Sequence, residues 1–219
     1  MHYSRAGHIQ RDVLSELQWD ARVQSNEIGV AVKDGIVTLA GWVDSLVKKW
    51  AAEQAAVRVR GVRGVANDIE VRLPISAERT DADIAEAVLR ALKWDAFIPE
   101  DKVTVTVSNG WVTLEGEVEW DYQRQDAEWA VRRVTGVRGV TNLISVKPRI
   151  SPPDLKEKIE EALVRSAETD AQRITVELQG SKVILSGTVR SLAERKEAER
   201  VARSAPGVSS VENRIVVRP

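Results

Sequence analysis

Catalysis by this chain would depend on carboxylates, because the residues that most often act as bases and nucleophiles are nearly missing. The sequence contains 33 acidic residues, no cysteine and only two histidines, His2 and His8. Both histidines lie at or before the first predicted helix, so a Ser-His-Asp or Cys-His arrangement lacks its base. The acidic residues fall on predicted solvated helix faces and strand edges, which argues against paired-carboxylate hydrolysis. We therefore expect a non-enzymatic protein with no catalytic residues.

Metal and cofactor chemistry has little support in the sequence. Two histidines without any thiol do not make a structural zinc site. The glycines form neither a P-loop nor a dinucleotide-binding motif. We therefore expect no cofactor and no metal site built from side chains. A hard cation held by backbone carbonyls would leave little trace in a sequence, so a cation-binding sensor remains an alternative.

A threefold internal repeat determines the organisation of the chain. Residues of the same type recur at offsets of 75 and then 71 positions. They are Gly41, Gly116 and Gly187; Gly61, Gly136 and Gly207; and Asn67, Asn142 and Asn213. Recurrence in every copy is typical of a fold requirement, whereas an enzyme site usually occurs once. We predict three modules, 1–74, 75–150 and 151–219.

Each copy predicts the same succession of elements. An apolar stripe such as Ile84, Val88 and Leu92 predicts a first helix. Two alternating segments, joined by turn signals such as Asp34-Gly35, predict a hairpin with one buried face. A second, alanine-rich helix stops near a glycine and leads to a last strand, parallel to the second strand. The predicted fold class is α+β: three tandem α-β-β-α-β modules, each a three-stranded mixed sheet with two helices on one face.

The recurring glycines and asparagines have structural interpretations. The glycine in the second strand predicts a bulge or a close helix crossing. The asparagine follows a turn, where its side chain can satisfy backbone groups. We therefore interpret both sets as a structural signature rather than as active-site residues.

Two motifs resemble the BON domain, a small bacterial module found in osmotic-stress and cell-envelope proteins. The first is the second-strand motif, which reads Val37-Thr38-Leu39-Ala40-Gly41, Val112-Thr113-Leu114-Glu115-Gly116 and Val183-Ile184-Leu185-Ser186-Gly187. The second runs over Gly61–Asn67, Gly136–Asn142 and Gly207–Asn213. The resemblance covers nearly the whole chain. It implies a stress-associated, non-catalytic protein that binds phospholipid or supports a membrane.

Tryptophan distinguishes the copies from one another. All seven tryptophans lie in the first two copies, and only Trp19 and Trp94 occupy equivalent positions, at the end of the first helix. The others are Trp42, Trp50, Trp111, Trp120 and Trp129. Their counterparts in the opposite copy are mostly polar, so most tryptophans should lie at least partly outside the core of their own module. Trp111 and Trp120 are accordingly candidate binding residues.

The open sheet face of the first copy is a second candidate surface. It carries Ala31, Ala40 and Trp42 where the other copies carry mainly threonine and glutamate. A face of small residues bearing a tryptophan suggests a contact surface. Its partner would be another module of the same chain, a second protein molecule in a homo-oligomer, a foreign protein or a membrane.

Lipid contact would need apolar side chains to insert and basic side chains to meet headgroups. Trp94 and Phe97 can insert, and Lys93 is adjacent. The leading hypothesis is therefore a stress-associated protein that contacts anionic phospholipid. The alternative is a protein-interaction or self-assembly scaffold that uses the apolar sheet face of the first module. The balance of 32 basic and 33 acidic residues argues against a nucleic-acid partner.

Apolar segments in the sequence are short. No run approaches the roughly 18 residues of a membrane span, and the N-terminus lacks the apolar core of a signal peptide. We expect no transmembrane segment and a cytoplasmic location, or a periplasmic one if a signal peptide had been removed.

Overall fold

The computed structural model describes residues 5–23, 25–148, 152–166 and 169–218. Module 1 contains α1 (Arg5–Trp19), β1 (Ile28–Lys33), β2 (Ile36–Val43), α2 (Leu46–Arg58) and β3 (Gly64–Val71). Module 2 contains α3 (Asp81–Trp94), β4 (Val103–Ser108), β5 (Trp111–Val118), α4 (Asp121–Arg132) and β6 (Gly139–Val146). Module 3 contains α5 (Leu155–Arg165), β7 (Ile174–Gln179), β8 (Lys182–Val189), α6 (Leu192–Arg203), β9 (Ser210–Asn213) and β10 (Val216–Val217). The predicted α+β fold class and its repeated element order are confirmed.

The three sheets share one topology. In each module the first strand pairs antiparallel with the second, and the last strand pairs parallel with the second. One sheet face is apolar and packs against the helices. In β2, for example, Val37 and Leu39 are fully buried while Ala40 is exposed. This alternation explains why both helices of a module lie on the same face.

Module 3 departs from the prediction in its last strand. The sequence predicts one continuous strand, but the structure divides it into β9 and β10. Pairing with β8 resumes at Val216 and Val217, which lie opposite Thr188 and Val189. The sheet of module 3 is therefore still three strands wide.

The strand glycine is required by a close backbone approach. Gly41, Gly116 and Gly187 have φ angles of 128°, 138° and 124°. A Cβ on Gly116 would overlap the carbonyl oxygen of Lys102, the residue before β4, and the other two glycines face equivalent carbonyls. The crowding carbonyl ends the short 3-10 helix that precedes the first strand, Glu100–Lys102 in module 2, and does not belong to either α-helix of the module.

The recurring asparagine joins the last strand to the second helix. The Asn142 amide nitrogen donates to the backbone oxygen of Arg124 at 2.9 Å and to Glu128 at 3.1 Å. Its amide oxygen accepts the backbone N–H of Ile144 at 3.2 Å. Asn67 and Asn213 make the same three bonds in their own modules. The asparagine lies within the last strand, after the turn, and it satisfies backbone groups as expected.

Contacts between the second helices hold the modules together. Leu46 at the start of α2 packs against the core of module 2. Farther along α2, the Trp50 ring meets the Trp129 ring of α4 edge to face, with centroids 4.5 Å apart. Aromatic pairs in this geometry stabilise a contact beyond the area they bury. Modules 1 and 2 are thus joined through α2 and α4.

Module 3 contacts both other modules. Helix α6 packs against α2, the cores of modules 1 and 3 merge into one apolar cluster, and Lys196 pairs with Glu53 at 3.3 Å. On its other side, Arg203 of α6 lies 4.0 Å from the buried carboxylate of Asp121 in α4. All three pairs of modules are therefore in contact.

The three contacts are repeats of one another. Leu46 and Asp121 are 75 residues apart and are therefore equivalent. Each begins the second helix of its module and contacts the next module along the chain. Lys196 in module 3 is equivalent to Trp50, which lies 146 residues earlier. Lys196 contacts Glu53 of module 1. Head-to-tail contacts that close on themselves generate a ring. The modules form a ring with approximate threefold symmetry, which places equivalent residues at the same level along the ring axis.

Candidate functional site

The ends of the first helices carry the most exposed tryptophans. Trp19 ends α1 and is 85% exposed, and Trp94 ends α3 and is 87% exposed. We call the segment 19–22 tip 1, and the segment 93–97 together with Tyr122 tip 2. Phe97 of tip 2 is a further large apolar side chain, 64% exposed. Tip 2 therefore presents a cluster of aromatic residues to solvent.

Local hydrogen bonds fix the shape of tip 2. The Asp95 carboxylate accepts the backbone N–H of Phe97 at 3.0 Å. The Gln123 amide nitrogen donates to the carbonyl oxygen of Phe97 at 3.1 Å, which ties the loop to the start of α4. The Phe97 ring meets the Tyr122 ring edge to face at 6.0 Å. Because the loop is already held in place, little order has to be gained when it contacts a partner.

Tip 1 contains the same turn as tip 2 but with different side chains. Asp20, equivalent to Asp95, accepts the backbone N–H of Arg22 at 3.1 Å. It also accepts from the Nε and Nη2 of the Arg22 guanidinium group at 2.9 and 2.7 Å. These bonds from Arg22, together with one from Arg58, hold the pKa of Asp20 well below its usual range despite partial burial. Trp19 thus precedes a rigid, ion-paired turn.

Module 3 has a basic residue at the corresponding place. The residue equivalent to Trp19 and Trp94 is Arg165, which is exposed and 3.5 Å from Glu161. The ring therefore carries two exposed tryptophans and one exposed arginine at one level along its axis. We call this level the tip face.

Charged groups near tip 2 are mixed. Lys93 and Lys102 are exposed, and Asp95 belongs to the tip itself. Burial, and then the neighbouring Asp95, raise the pKa of Asp126 on α4. Protonation of Asp126 would therefore remove a negative charge from this region more readily than for an ordinary aspartate.

The predicted candidates on the open face of module 1 are less exposed than those at the tips. Ala31 and Ala40 are exposed, but Trp42 is half-buried, with the guanidinium carbon of Arg72 5.8 Å from its ring centroid. Contact between modules was one expected role for Trp42. The aromatic contact between modules is made instead by Trp50 and Trp129.

Trp111 and Trp120, the other predicted binding residues, lie in different places. Trp111 is half-exposed beside the β4–β5 turn, where its ring lies over Gly139 and its indole N–H donates to Thr141 at 2.8 Å. Trp120 is partly buried before α4, and its backbone N–H donates to Gln123, which also holds Phe97. Of the predicted candidates, the structure brings together Lys93, Trp94 and Phe97, with the backbone of Trp120 nearby.

Two aromatic residues were not selected from the sequence. Tyr122 contacts Phe97 across a separation of 25 residues, and no local pattern indicates that contact. Trp19 could have been selected, because it is the one tryptophan equivalent to Trp94.

Side chains in the described part of the chain form no group of three or more histidine, cysteine, aspartate or glutamate residues able to hold a metal. In the same residues, no helix combines the length and apolar character that a bilayer crossing requires.

The fold and the tips define a protein of three tandem α+β modules with exposed aromatic residues at the ends of two first helices. Three stretches of the chain, 6–72, 80–148 and 153–219, match the BON domain. The chain therefore belongs to the BON domain family.

Similarity to individual proteins is more limited. The chain is 29% identical over 129 residues to osmotically-inducible protein Y of Escherichia coli (strain K12), a match that covers 57% of this chain and 64% of that protein. The match thus spans less than two thirds of the relative. Among solved structures, CdsD, a structural protein of the type III secretion system of Chlamydia trachomatis, aligns at 13% identity over 95% of this chain and 91% of its own, with a TM-score of 0.27. A structure of the CdsD C-terminal domain aligns at 12% identity over the whole of both chains, also with a TM-score of 0.27.

Proposed function

We propose that this chain is a non-enzymatic, stress-associated binding protein that contacts anionic phospholipid surfaces through tips 1 and 2. Membership of the BON domain family and similarity to an osmotically-inducible protein support the stress association. The lipid contact is supported by the exposed aromatic side chains.

The observation that carries the proposal is the equivalent placement of Trp19 and Trp94. Each is more than four-fifths exposed, at 85% and 87%, and both lie on the tip face. Tryptophan favours the boundary between lipid headgroups and acyl chains, since its ring is apolar and its N–H can hydrogen-bond. Two insertion points on one rigid body bind more tightly than either alone, because the second contact is intramolecular.

Basic side chains around the tips can meet anionic headgroups. Lys93 and Lys102 serve tip 2, and Arg165 lies on the same face in module 3. Each lysine or arginine near an anionic membrane surface contributes about 1 kcal/mol, and salt weakens this attraction. The proposal therefore includes both an apolar and a salt-dependent component.

Co-sedimentation with phospholipid vesicles tests the proposal. The chain should bind vesicles containing anionic lipid more strongly than neutral vesicles, and added salt should weaken the binding. Trp94→Ala combined with Phe97→Ala should reduce affinity at least about tenfold, because burying one such side chain is worth about 1.5–3 kcal/mol.

Ile75→Ala is the matched control, since Ile75 is an exposed apolar residue that precedes α3, whereas tip 2 lies at the other end of that helix. It should bind vesicles like the unaltered chain. Absence of binding at low salt would sink the proposal. If light scattering also gave the mass of two or more chains, the scaffold hypothesis would be favoured instead, with the exposed Ala31 and Ala40 beside Trp42 as the contact surface.

A further inference from the structure

Equivalent clefts lie at two of the module junctions. The cleft between modules 3 and 1, the 3–1 cleft, has a volume of about 560 Å³ and includes Arg63, Arg195 and Arg214 in its lining. The cleft between modules 1 and 2, the 1–2 cleft, is lined at the equivalent positions by Arg138, Lys49 and Asp68. The linings of the two clefts are equivalent, so the clefts can be compared residue by residue.

Charge distinguishes the two clefts. The 3–1 cleft is lined by three arginines and one acid, Asp34. The 1–2 cleft balances its basic residues with an equal number of acids: Lys49, Arg72 and Arg138 against Asp68, Glu70 and Glu78. Of the two, the 3–1 cleft alone therefore has an excess of positive charge in its lining, which attracts anions.

Two of the three arginines in the 3–1 cleft have unused hydrogen-bonding capacity. Arg195 donates from Nη2 to the carbonyl oxygen of Asn213 at 3.0 Å, and no residue that the structure describes accepts from its Nη1. Its Nε is buried out of reach of a ligand in the cleft, so Nη1 is the nitrogen that can donate to one. Arg63 is exposed and forms no ion pair with any residue that the structure describes.

The third arginine is already engaged. Arg214 donates to Glu212 at 2.6 Å, and this bond, followed by one from Lys182, lowers the pKa of Glu212 to about 2. Glu199 follows Arg195 by four residues on α6. Its carboxylate accepts hydrogen bonds from Arg203 and Asn213, not from Arg195. Arg63 and Arg195 are thus the groups available to a ligand.

The remaining walls of the 3–1 cleft are apolar. Ile36 and Val216 are 51% and 45% exposed and face it from modules 1 and 3. In the 1–2 cleft their equivalents are Trp111, whose ring lies over Gly139 of β6, and Glu70. Of the two clefts, the 3–1 cleft alone therefore combines arginines with accessible aliphatic side chains.

We propose that the 3–1 cleft binds an organic phosphate, that is, a phosphate monoester bearing a short apolar group. The phosphate oxygens would accept from Arg63 and Arg195, whose planar guanidinium groups suit phosphate geometry. The apolar group would lie on Ile36 and Val216. The volume of the cleft is within the range of small-molecule sites.

Calorimetric titration of the full chain with hexyl phosphate tests this proposal, with hexanol and inorganic phosphate as partial ligands. Hexyl phosphate should bind, and each partial ligand should bind at least about tenfold more weakly. Arg63→Ala should weaken hexyl phosphate binding by about tenfold or more, which corresponds to one lost charge-assisted contact. Arg63 is exposed, so this substitution should leave folding intact.

Arg138→Ala is the matched control, because Arg138 is the residue equivalent to Arg63 in the 1–2 cleft. It should bind hexyl phosphate normally. No heat of binding in the unaltered chain, or an equal loss in the two variants, would overturn the proposal. A vesicle arm separates the possible sources of the phosphate: weaker binding of Arg63→Ala to phosphatidic acid vesicles identifies a lipid headgroup, and unchanged vesicle binding identifies a free phosphate ester.

Discussion

Asp126 illustrates how one ionisable residue near tip 2 responds to its surroundings. Its carboxylate is partly buried and lies within reach of the charge on Asp95, and both influences raise its pKa. The folded chain therefore binds this proton more tightly than the unfolded chain does. Stability from Asp126 is fully present below the pKa of the unfolded state and is lost as pH rises through the raised pKa of the folded state.

Asp126→Asn should prevent the loss of stability that ionisation of Asp126 causes as the pH rises. At about pH 7 the variant should melt about 1–2 °C higher than the unaltered chain, a small effect because the group is partly solvated. The difference in melting temperature between the two proteins should shrink as pH falls towards about 4, where the aspartate becomes protonated. Thermal unfolding at the two pH values measures this. Asp101→Asn, at an exposed site, is the control, and a gap that widens on acidification would contradict the assignment.

At the level of single elements, the glycine of the second strand sets how closely the hairpin can fold. Gly116→Ala combines a left-handed backbone with overlap against the Lys102 carbonyl. It should lower the free energy of unfolding by more than about 2 kcal/mol. Gly29→Ala is the control, since a Cβ there would be 3.8 Å from its nearest neighbour and should change stability by less than about 0.5 kcal/mol. Urea unfolding distinguishes them, and equal midpoints would show that the close approach is unimportant.

Element type and order could be predicted because their signals are local. The apolar stripe at Ile84, Val88 and Leu92 and the Asp34-Gly35 turn each lie within a few residues. The crowding of Gly116 could not be predicted in the same way. Its cause is a carbonyl at Lys102, 14 positions earlier, which reaches the glycine only after the hairpin has formed.

At the scale of the whole molecule, the ring could not be predicted because its junctions use different residues in each copy. Leu46, Asp121 and Leu192 are equivalent, yet the first packs in an apolar core and the second makes an ion pair with Arg203. A repeat search finds what the copies share, whereas the junctions depend on what they do not share. The tips are an intermediate case: Trp94 and Phe97 could be selected from sequence, but the common face that adds Trp19 depends on the ring.

Quenching of tryptophan fluorescence by brominated phospholipid tests the central claim, insertion of Trp19 and Trp94 together, most directly. Anionic vesicles with brominated acyl chains should quench the unaltered chain. Combining Trp19→Phe with Trp94→Phe should abolish most quenching while vesicle binding persists, because phenylalanine still inserts and the other five tryptophans lie away from the lipid. Each single variant should lose about half of the quenching. Undiminished quenching in the double variant, or no quenching of the unaltered chain when it is bound, would contradict the account.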